Sequence, residues 1–288
     1  MSAEAVQVPE GNLCPACGSA RPYAYRFTVN GSPVRQCQGC GLGRAEPNGF
    51  DPGRYYTADY FNGQHSDGYA DYLGAEPVLR KEFARTVTFI RKFMPGGRLL
   101  DIGCAYGFFL QEARHYYDVA GIELAADAAE HCRRTGLNVV SGVADVPTLS
   151  RLGQFDVITM FDVIEHLPEP DEVLATAARH LKRGGIMVIT TGDFASVAAR
   201  VMGPKWRLMT PPQHLWFFTR DSIRALGETV GLTMIDFAHP AKVVPLSLIA
   251  FQLRRMLGLR TATVAGASGI GVPVNLFDAM RVVLRKES

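Results

Sequence analysis

The sequence predicts an α/β protein built on a mostly parallel sheet with helices on both faces, preceded by a small cysteine-built module. Three observations carry this prediction. Short β-like runs alternate with helical stretches from residue 97 onward, the pattern of a parallel sheet covered on both sides. Acidic residues and glycines fall at the ends of those runs, where an open parallel sheet binds its ligands. Four of the six cysteines lie in two Cys-x-x-Cys pairs near the N-terminus.

Composition sets the bounds. A chain of 288 residues has room for one large domain or two smaller ones. Hydrophobic residues make up 47% and charged residues 20%, a globular composition rather than a disordered one. The net charge of +2 excludes a protein that grips a long nucleic acid by charge alone and leaves room for a local basic patch. The start, MSAEAVQVPEGN, has no apolar core of a secretory signal, so a cytoplasmic protein is expected. The longest apolar run, Val243 to Leu253, is interrupted by Pro245, Ser247 and Gln252 and falls short of the roughly 20 residues that span a bilayer.

The cysteine module comes first. Cys14-Pro-Ala-Cys17-Gly18 and Cys37-Gln-Gly-Cys40-Gly41 each place two thiolates on one tight knuckle. Two knuckles supply four soft ligands, suited to tetrahedral Zn²⁺. Between them Asn30-Gly31 separates two β-prone runs, Tyr23–Val29 and Ser32–Arg35, which is a hairpin signal. Knuckle, hairpin, knuckle is the layout of a zinc ribbon, placed at residues 1–45. Four-cysteine sites are closed, so the metal is expected to staple a module too small to hold itself together.

Residues 46–95 read as a connector and a helix. Tyr55, Tyr56, Tyr60, Phe61, Tyr69 and Tyr72 crowd its first part. They either fold over an active site, with Tyr60 in an acceptor pocket, or pack the ribbon against the next domain. Val78, Leu79, Phe83, Val87, Ile90, Phe93 and Met94 then follow helical spacing, ended by Pro95-Gly96-Gly97.

The core follows at 96–288. Strands are expected at 98–102, 119–122, 138–140, 155–160 and 185–190, with helices after about 106, through about 134, over about 169–181 and near 194–202. The first strand runs into Asp101-Ile-Gly103-Cys104-Ala-Tyr-Gly107. Two glycines four apart let backbone approach a ligand, but neither a dinucleotide fingerprint nor a phosphate loop is present. Asp101 would repel a pyrophosphate and suits a cation such as an amino-acid ammonium. The second strand ends at Glu123, 22 residues on, where a carboxylate can accept from both ribose hydroxyls. Asp145 follows the third strand and can accept from an exocyclic adenine amine, or can make an ordinary turn before Val146-Pro147. Ammonium, ribose and adenine without phosphate describe S-adenosylmethionine (SAM).

The stretch LLDIGCAYGFFL…GIEL…ADV…FDVITMFDVIEHLPEP…LKRGGIMVITT, about residues 96–192, resembles the class I SAM-dependent methyltransferases. It is closest in style to the ubiquinone-type O-methyltransferases. With the ribbon, the layout resembles methyltransferases of glycan and natural-product gene clusters. The resemblance implies a Rossmann-like seven-stranded sheet whose last strand, about 279–284, is antiparallel. It implies that Asp101, Gly103 and Gly107 hold the methionine part of SAM, Glu123 the ribose and Asp145 the adenine amine. Phe161 would lie near the cofactor, and Cys104, Leu124 and Val146 would belong to the cofactor-binding set. Asp101 and Glu123 also have a reading as helix-capping carboxylates. Cys104 and Cys132 read as small packing residues with no partner identified.

Methyl transfer to a hydroxyl needs alignment and a base. His166, in Asp162-Val-Ile-Glu165-His166, and His214, bracketed by Trp206 and Trp216, are the two candidates. Each also has a reading as a cap or a satisfied buried polar group. The tryptophans would form an aromatic acceptor lid. In ubiquinone-type enzymes the segment matching Asp162, Glu165 and His166 is proposed to bind a divalent cation. Asp162 departs from that pattern, which leaves a catalytic Mg²⁺ open. The Asn/Asp-Pro-Pro-aromatic motif of nucleic-acid amine methyltransferases is absent after the fourth strand. Residues 219–230 read as a capped helix and 232–237 as a sixth strand. The insertion 240–278 contains Val243–Leu259, read as an amphipathic helix with Arg254 and Arg255 that packs on the protein or touches a membrane surface.

The expected activity is therefore methyl transfer to a small-molecule or glycan-type acceptor, at a hydroxyl. The alternatives are an rRNA methyltransferase whose ribbon, with Arg21, Arg26 and Arg35, binds RNA, and a zinc-binding scaffold with a degenerate core.

Overall fold

The N-terminal Asn-Gly turn sets the first element pair. Asn30 and Gly31 both take positive φ, 50° and 78°, as the two-residue hairpin turn requires. They join β1 (Tyr23–Val29) to β2 (Ser32–Cys37), and β2 pairs antiparallel with β3 (Gly43–Ala45). The computed structural model describes residues 13–20, 23–46, 71–246, 249–250 and 270–287. Tyr55, Tyr56, Tyr60, Phe61, Tyr69, Arg21, Arg254 and Arg255 lie outside the described residues. The chain divides into two units: Met1–Pro52 with Ala144–Pro240 and Leu276–Ser288, and Gly53–Val143 with Ala241–Asn275.

The second unit carries the helix Glu76–Ile90 and three parallel strands, β4 (Gly97–Ile102), β5 (Tyr117–Glu123) and β6 (Asn138–Ser141). Helices Phe108–Ala113 and Ala126–Arg134 follow β4 and β5. Leu99, Leu100, Phe108, Leu110 and Ile122 are fully buried, the apolar interior that a two-sided parallel sheet demands.

In the first unit β7 (Phe155–Phe161) runs parallel to β8 (Leu181–Gly192). The short β9 (Trp216–Phe217) pairs with β3 and extends the ribbon to four strands. Periodicity could not announce this strand, because two residues carry none. Next come the helix Arg220–Thr229 and β10 (Leu232–Ala238).

The insertion departs from expectation. Residues 243–245, read as the start of a helix, form β11 (Lys242–Pro245), antiparallel to β12 (Gly271–Val274). Val243 and Val244 are β-branched and favour a strand, and the Val243 N–H donates to the Glu82 carboxylate at 3.0 Å. Leu246, Ile249 and Ala250 are helical, in line with that reading, and residues 251–259 lie outside the described residues. The chain ends in β13 (Ala279–Lys286), antiparallel to both β8 and β10. The large sheet has seven strands in the order β10-β13-β8-β7-β4-β5-β6, as the resemblance implies. Among the described residues no helix is long and apolar enough to cross a membrane.

Candidate active site

The turn after β4 holds three left-handed residues in five: Gly103 (φ 76°), Ala105 (φ 47°) and Gly107 (φ 76°). An alanine seldom adopts this conformation without support. Ala105 has support on both of its flanking peptide groups. Its N–H donates to Glu123 Oε2 at 2.7 Å, and its carbonyl accepts from the Cys132 thiol at 3.3 Å. Glu123 Oε1 accepts from the Ala125 N–H at 2.8 Å. Glu123 thus ties the loop after β4 to the loop after β5. Burial raises its pKa, against the opposing pull of the Ala125, Ala105 and Leu124 N–H groups. Asp101, 2% exposed, is the last residue but one of β4, beside buried Ile102.

Gly107 does more than free the backbone. A Cβ there would stand 2.6 Å from Leu137 Cδ1 and 2.9 Å from Cys132 Sγ. Packing therefore demands glycine, alongside the left-handed start of the helix Phe108–Ala113. Cys104 is buried and has a neighbour that sequence reasoning missed: the Cys132 thiol, together with burial, pushes the Cys104 thiol up. Leu124 is exposed.

In the other unit, Asp145 caps the helix Val146–Leu152, a helix the sequence reading did not place. Its Oδ1 accepts from the Thr148 N–H at 2.8 Å, and bonding to Thr148 holds its exposed carboxyl below the usual range. Asp145 is therefore a helix N-cap, in place of the ordinary turn before Val146-Pro147. A carboxylate has further lone pairs, so a cap and a ligand contact are compatible. Val146 is exposed in the first turn of that helix, and half-buried Phe161 ends β7.

The same unit brings the two candidate histidines together. His166 and His214 stack edge-to-face with ring centroids 4.6 Å apart. His166 Nδ1 lies 2.9 Å from the Gln213 carbonyl, and His214 Nδ1 lies 2.8 Å from the Leu208 carbonyl. A carbonyl only accepts, so each Nδ1 carries the proton and each Nε2 carries the lone pair. Burial lowers both pKa values. That of His214, lowered further by His166, falls to about 3. The Leu215 N–H donates to the Glu165 carbonyl at 2.9 Å, which docks the loop on the turn Ile164–His166.

Two expectations need correction. Asp162 does not join Glu165 and His166. It sits at φ 55°, and its Oδ1 accepts from the Thr190 hydroxyl at 2.9 Å, although its charge still acts on both imidazoles. Glu165, His166 and His214 are the group that converges. Trp206 and Trp216 do not form a lid, because both are buried. The Trp206 indole N–H donates to Asp278 at 3.0 Å, and that of Trp216 donates to the Leu167 carbonyl at 2.8 Å. A buried indole with its N–H satisfied is fixed wall rather than cover.

The four N-terminal cysteines also converge. Cys14 Sγ is 3.6 Å from Cys40 Sγ, Cys17 Sγ is 3.9 Å from Cys37 Sγ, and all four sulfurs lie within 4.8 Å of one another. Metal–sulfur arms of about 2.3 Å in a tetrahedron give sulfur separations of about 3.8 Å.

A buried Asp and a buried Glu closing successive parallel strands, around a left-handed glycine turn and within this strand order, define a class I SAM-dependent methyltransferase. A family profile described as methyltransferase domain matches residues 76–236, and the chain belongs to that family. The ubiquinone biosynthesis O-methyltransferase of Methylococcus capsulatus is 34% identical over 132 residues, 43% of this chain and 54% of its own length. The protein of the same name from Cereibacter sphaeroides is 32% identical over 178 residues, 58% of this chain and 71% of its own. The chain thus spans about half the length of the first of these relatives. A crystal structure of a candidate methyltransferase from Bacillus halodurans shares the fold, with a TM-score of 0.53 and 14% identity over 71% of this chain and 99% of that one.

Proposed function

We propose that the protein transfers the methyl group of SAM to a hydroxyl of a small-molecule acceptor, a class that includes a sugar hydroxyl on a glycan. The observation that carries the reading is the His166–His214 pair. Two imidazoles held neutral, each with its Nδ1–H committed to a carbonyl, present lone pairs able to take a hydroxyl proton. The names of the relatives, O-methyltransferases of ubiquinone biosynthesis, support a hydroxyl on a small molecule.

The cofactor fits the strand-end residues. Buried Asp101 suits the methionine ammonium, Glu123 suits the ribose hydroxyls through lone pairs beyond its backbone bonds, and Asp145 suits the adenine amine. SAM supplies the electrophilic methyl on its sulfonium. The chain's part is to align the two reactants and exclude water. The four cysteines fit a structural Zn²⁺ by the tetrahedral comparison above, and such a closed site supports the ribbon rather than the chemistry. With Asp162 engaged by Thr190, no step is assigned to Mg²⁺.

The RNA reading is weakened at Arg35, whose guanidinium is paired with Glu46 at 2.9 Å. The scaffold reading is weakened by Asp101 and Glu123. Both are kept buried, at a desolvation cost that a core without a ligand has no reason to bear.

Calorimetry with SAM and S-adenosylhomocysteine, followed by mass spectrometry of acceptor mixtures for the gain of one methyl group, tests the reading. His214→Gln and His166→Gln are expected to lower kcat about 10²- to 10⁴-fold, with SAM affinity within twofold. Absence of SAM binding by the full chain, or an unchanged kcat in both variants, would overturn it.

A further inference from the structure

We infer that the cavity between the ribbon and the helix Val197–Met202 is a binding site for a phosphate group carried by the acceptor. The cavity measures about 310 Å³, the small end of ligand pockets. Arg26, Phe27 and Gln36 line it from β1 and β2. Phe194, Ala199 and Arg200 line it from the chain after β8.

Charge gives the class of ligand. Arg26 and Arg200 share one space, and among the described residues no carboxylate lines it. Among the described residues neither makes an ion pair, whereas Arg35, Arg80, Arg98, Arg133, Arg207 and Arg224 all do. Two permanent cations in one cavity repel each other, and an anion between them removes that cost. A carboxylate is satisfied by one guanidinium fork. A terminal phosphate carries about two negative charges and three acceptor oxygens, enough for both arginines. Phe27 and Phe194 supply apolar wall for the carbon beside the phosphate. A nucleic-acid backbone fits less well, because it needs cations spread along a groove.

Phe194 also carries the cavity toward the candidate active site. Its ring centroid lies 5.6 Å from that of Phe217, and the Phe217 centroid lies 6.3 Å from that of His214. Two ring contacts thus join the cavity wall to the imidazole pair. A phosphate held here fixes the far end of an acceptor whose hydroxyl reaches the histidines. Val197 and Val201, 78% and 81% exposed, share a helix face with Arg200 and offer an apolar surface to an alkyl tail. Binding of the anion stands on the cavity alone. Only its assignment to the acceptor rests on the hydroxyl-methylation reading.

The test is calorimetry of the full chain with inorganic phosphate, glucose 1-phosphate and octyl phosphate at low salt. Saturable binding of inorganic phosphate is expected, weakened about tenfold in Arg26→Gln and in Arg200→Gln and lost in the double variant. Arg183→Gln, at the other end of β8, should bind as the wild type does. SAM titration run on each variant shows that it is folded. Octyl phosphate binding tighter than glucose 1-phosphate, with the gain lost in Val197→Ser/Val201→Ser, assigns a lipid-type phosphate. The reverse order assigns a soluble ester. No phosphate binding by the wild type, or equal binding by the double arginine variant, would overturn the inference. A short single-stranded RNA that binds through the same arginines with a steep salt dependence, where inorganic phosphate does not, would overturn it in favour of a nucleic-acid contact. With acceptors, the double variant should raise KM for the phosphorylated form and leave kcat within about twofold. An equal KM for phosphorylated and unphosphorylated forms in the wild type would overturn the assignment to the acceptor. Methyl transfer to an uncharged hydroxyl by a chain that binds no phosphate would overturn the site and leave the proposed function standing. Phosphate binding without SAM binding would do the reverse.

Discussion

The Thr219 hydroxyl donates to the backbone carbonyl of Cys40 at 3.1 Å, so one hydrogen bond joins the second cysteine knuckle to the cap of the helix Arg220–Thr229. The same side chain accepts from the Ser222 N–H in a reciprocal capping box. Thr219→Ala removes both bonds. It should cost about 1–2 kcal/mol, read by urea unfolding, while Thr219→Ser recovers most of the loss.

That tether is one of several between ribbon and loop. Ala45 N–H donates to the Leu215 carbonyl at 2.8 Å, and Asn30 Nδ2 donates to the Pro211 carbonyl at 2.8 Å. Val34, Ala45, Phe194, Trp206, Met209 and Phe217 share one buried cluster. Stripping the cysteine site with a thiol-competent chelator should therefore loosen the loop that holds His214. The chain has two tryptophans, Trp206 and Trp216, and both belong to this region. Their emission should shift to the red and activity should fall, while SAM affinity stays within a few fold. Unchanged emission in a verified zinc-free chain would show that the ribbon does not support the loop.

The strands and the strand-end acids were readable because each depends on local pattern. β4 and β5 are short runs that end in a turn, with Asp101 one residue short of the first end and Glu123 at the second. What could not be read depends on contacts far apart in sequence. The pairing of β9 with β3 joins Trp216 to Arg44, and no periodicity in a two-residue strand announces it. The meeting of His166 with His214 depends on the fold of the intervening 47 residues. The misplaced ligand, Asp162, is instead engaged by a residue distant in sequence: its Oδ1 accepts from the Thr190 hydroxyl, 28 residues on. The tryptophans were read as a lid from position alone, and only the partners of their indole N–H groups show them to be interior.

Asp101→Asn keeps the shape of the β4 terminus and removes its charge. SAM affinity should fall at least tenfold, with a much smaller change for 5′-methylthioadenosine, which lacks the ammonium. Calorimetry with both ligands separates loss of that contact from collapse of the loop. An equal loss for the two would place the effect in folding.

Gly107→Ala adds a methyl group that meets Leu137 and Cys132 at well below contact distance, on a backbone already at φ 76°. Overpacking and left-handed strain together should cost about 2–4 kcal/mol. Pairing it with Cys132→Ala should restore part of the loss, since the smaller side chain clears one of the two contacts. A double variant no better than the single one would place the cost in Leu137 and the backbone.

Asp278 takes three donors: Trp206 Nε1 at 3.0 Å, Arg207 Nε at 2.9 Å and Arg207 Nη2 at 2.7 Å. Burial opposes its charge, yet the bonds and charge of Arg207 prevail and hold its carboxyl below the usual range. Because the native pKa lies below that of the unfolded chain, the folded state binds fewer protons than the unfolded one in that window. Its contribution is therefore complete above about pH 4 and is lost as pH falls through the native value. Asp278→Asn should cost about 2–3 kcal/mol at neutral pH, below the roughly 3–5 kcal/mol of a fully buried broken pair because Arg207 keeps contact with solvent. The difference from wild type should stay level from pH 8 to 5 and narrow as the wild-type carboxylate protonates below pH 4. Urea midpoints measured across that range check both the size and the sign, and a difference that widens toward acid would contradict the assignment of Asp278 as a charged partner of Arg207.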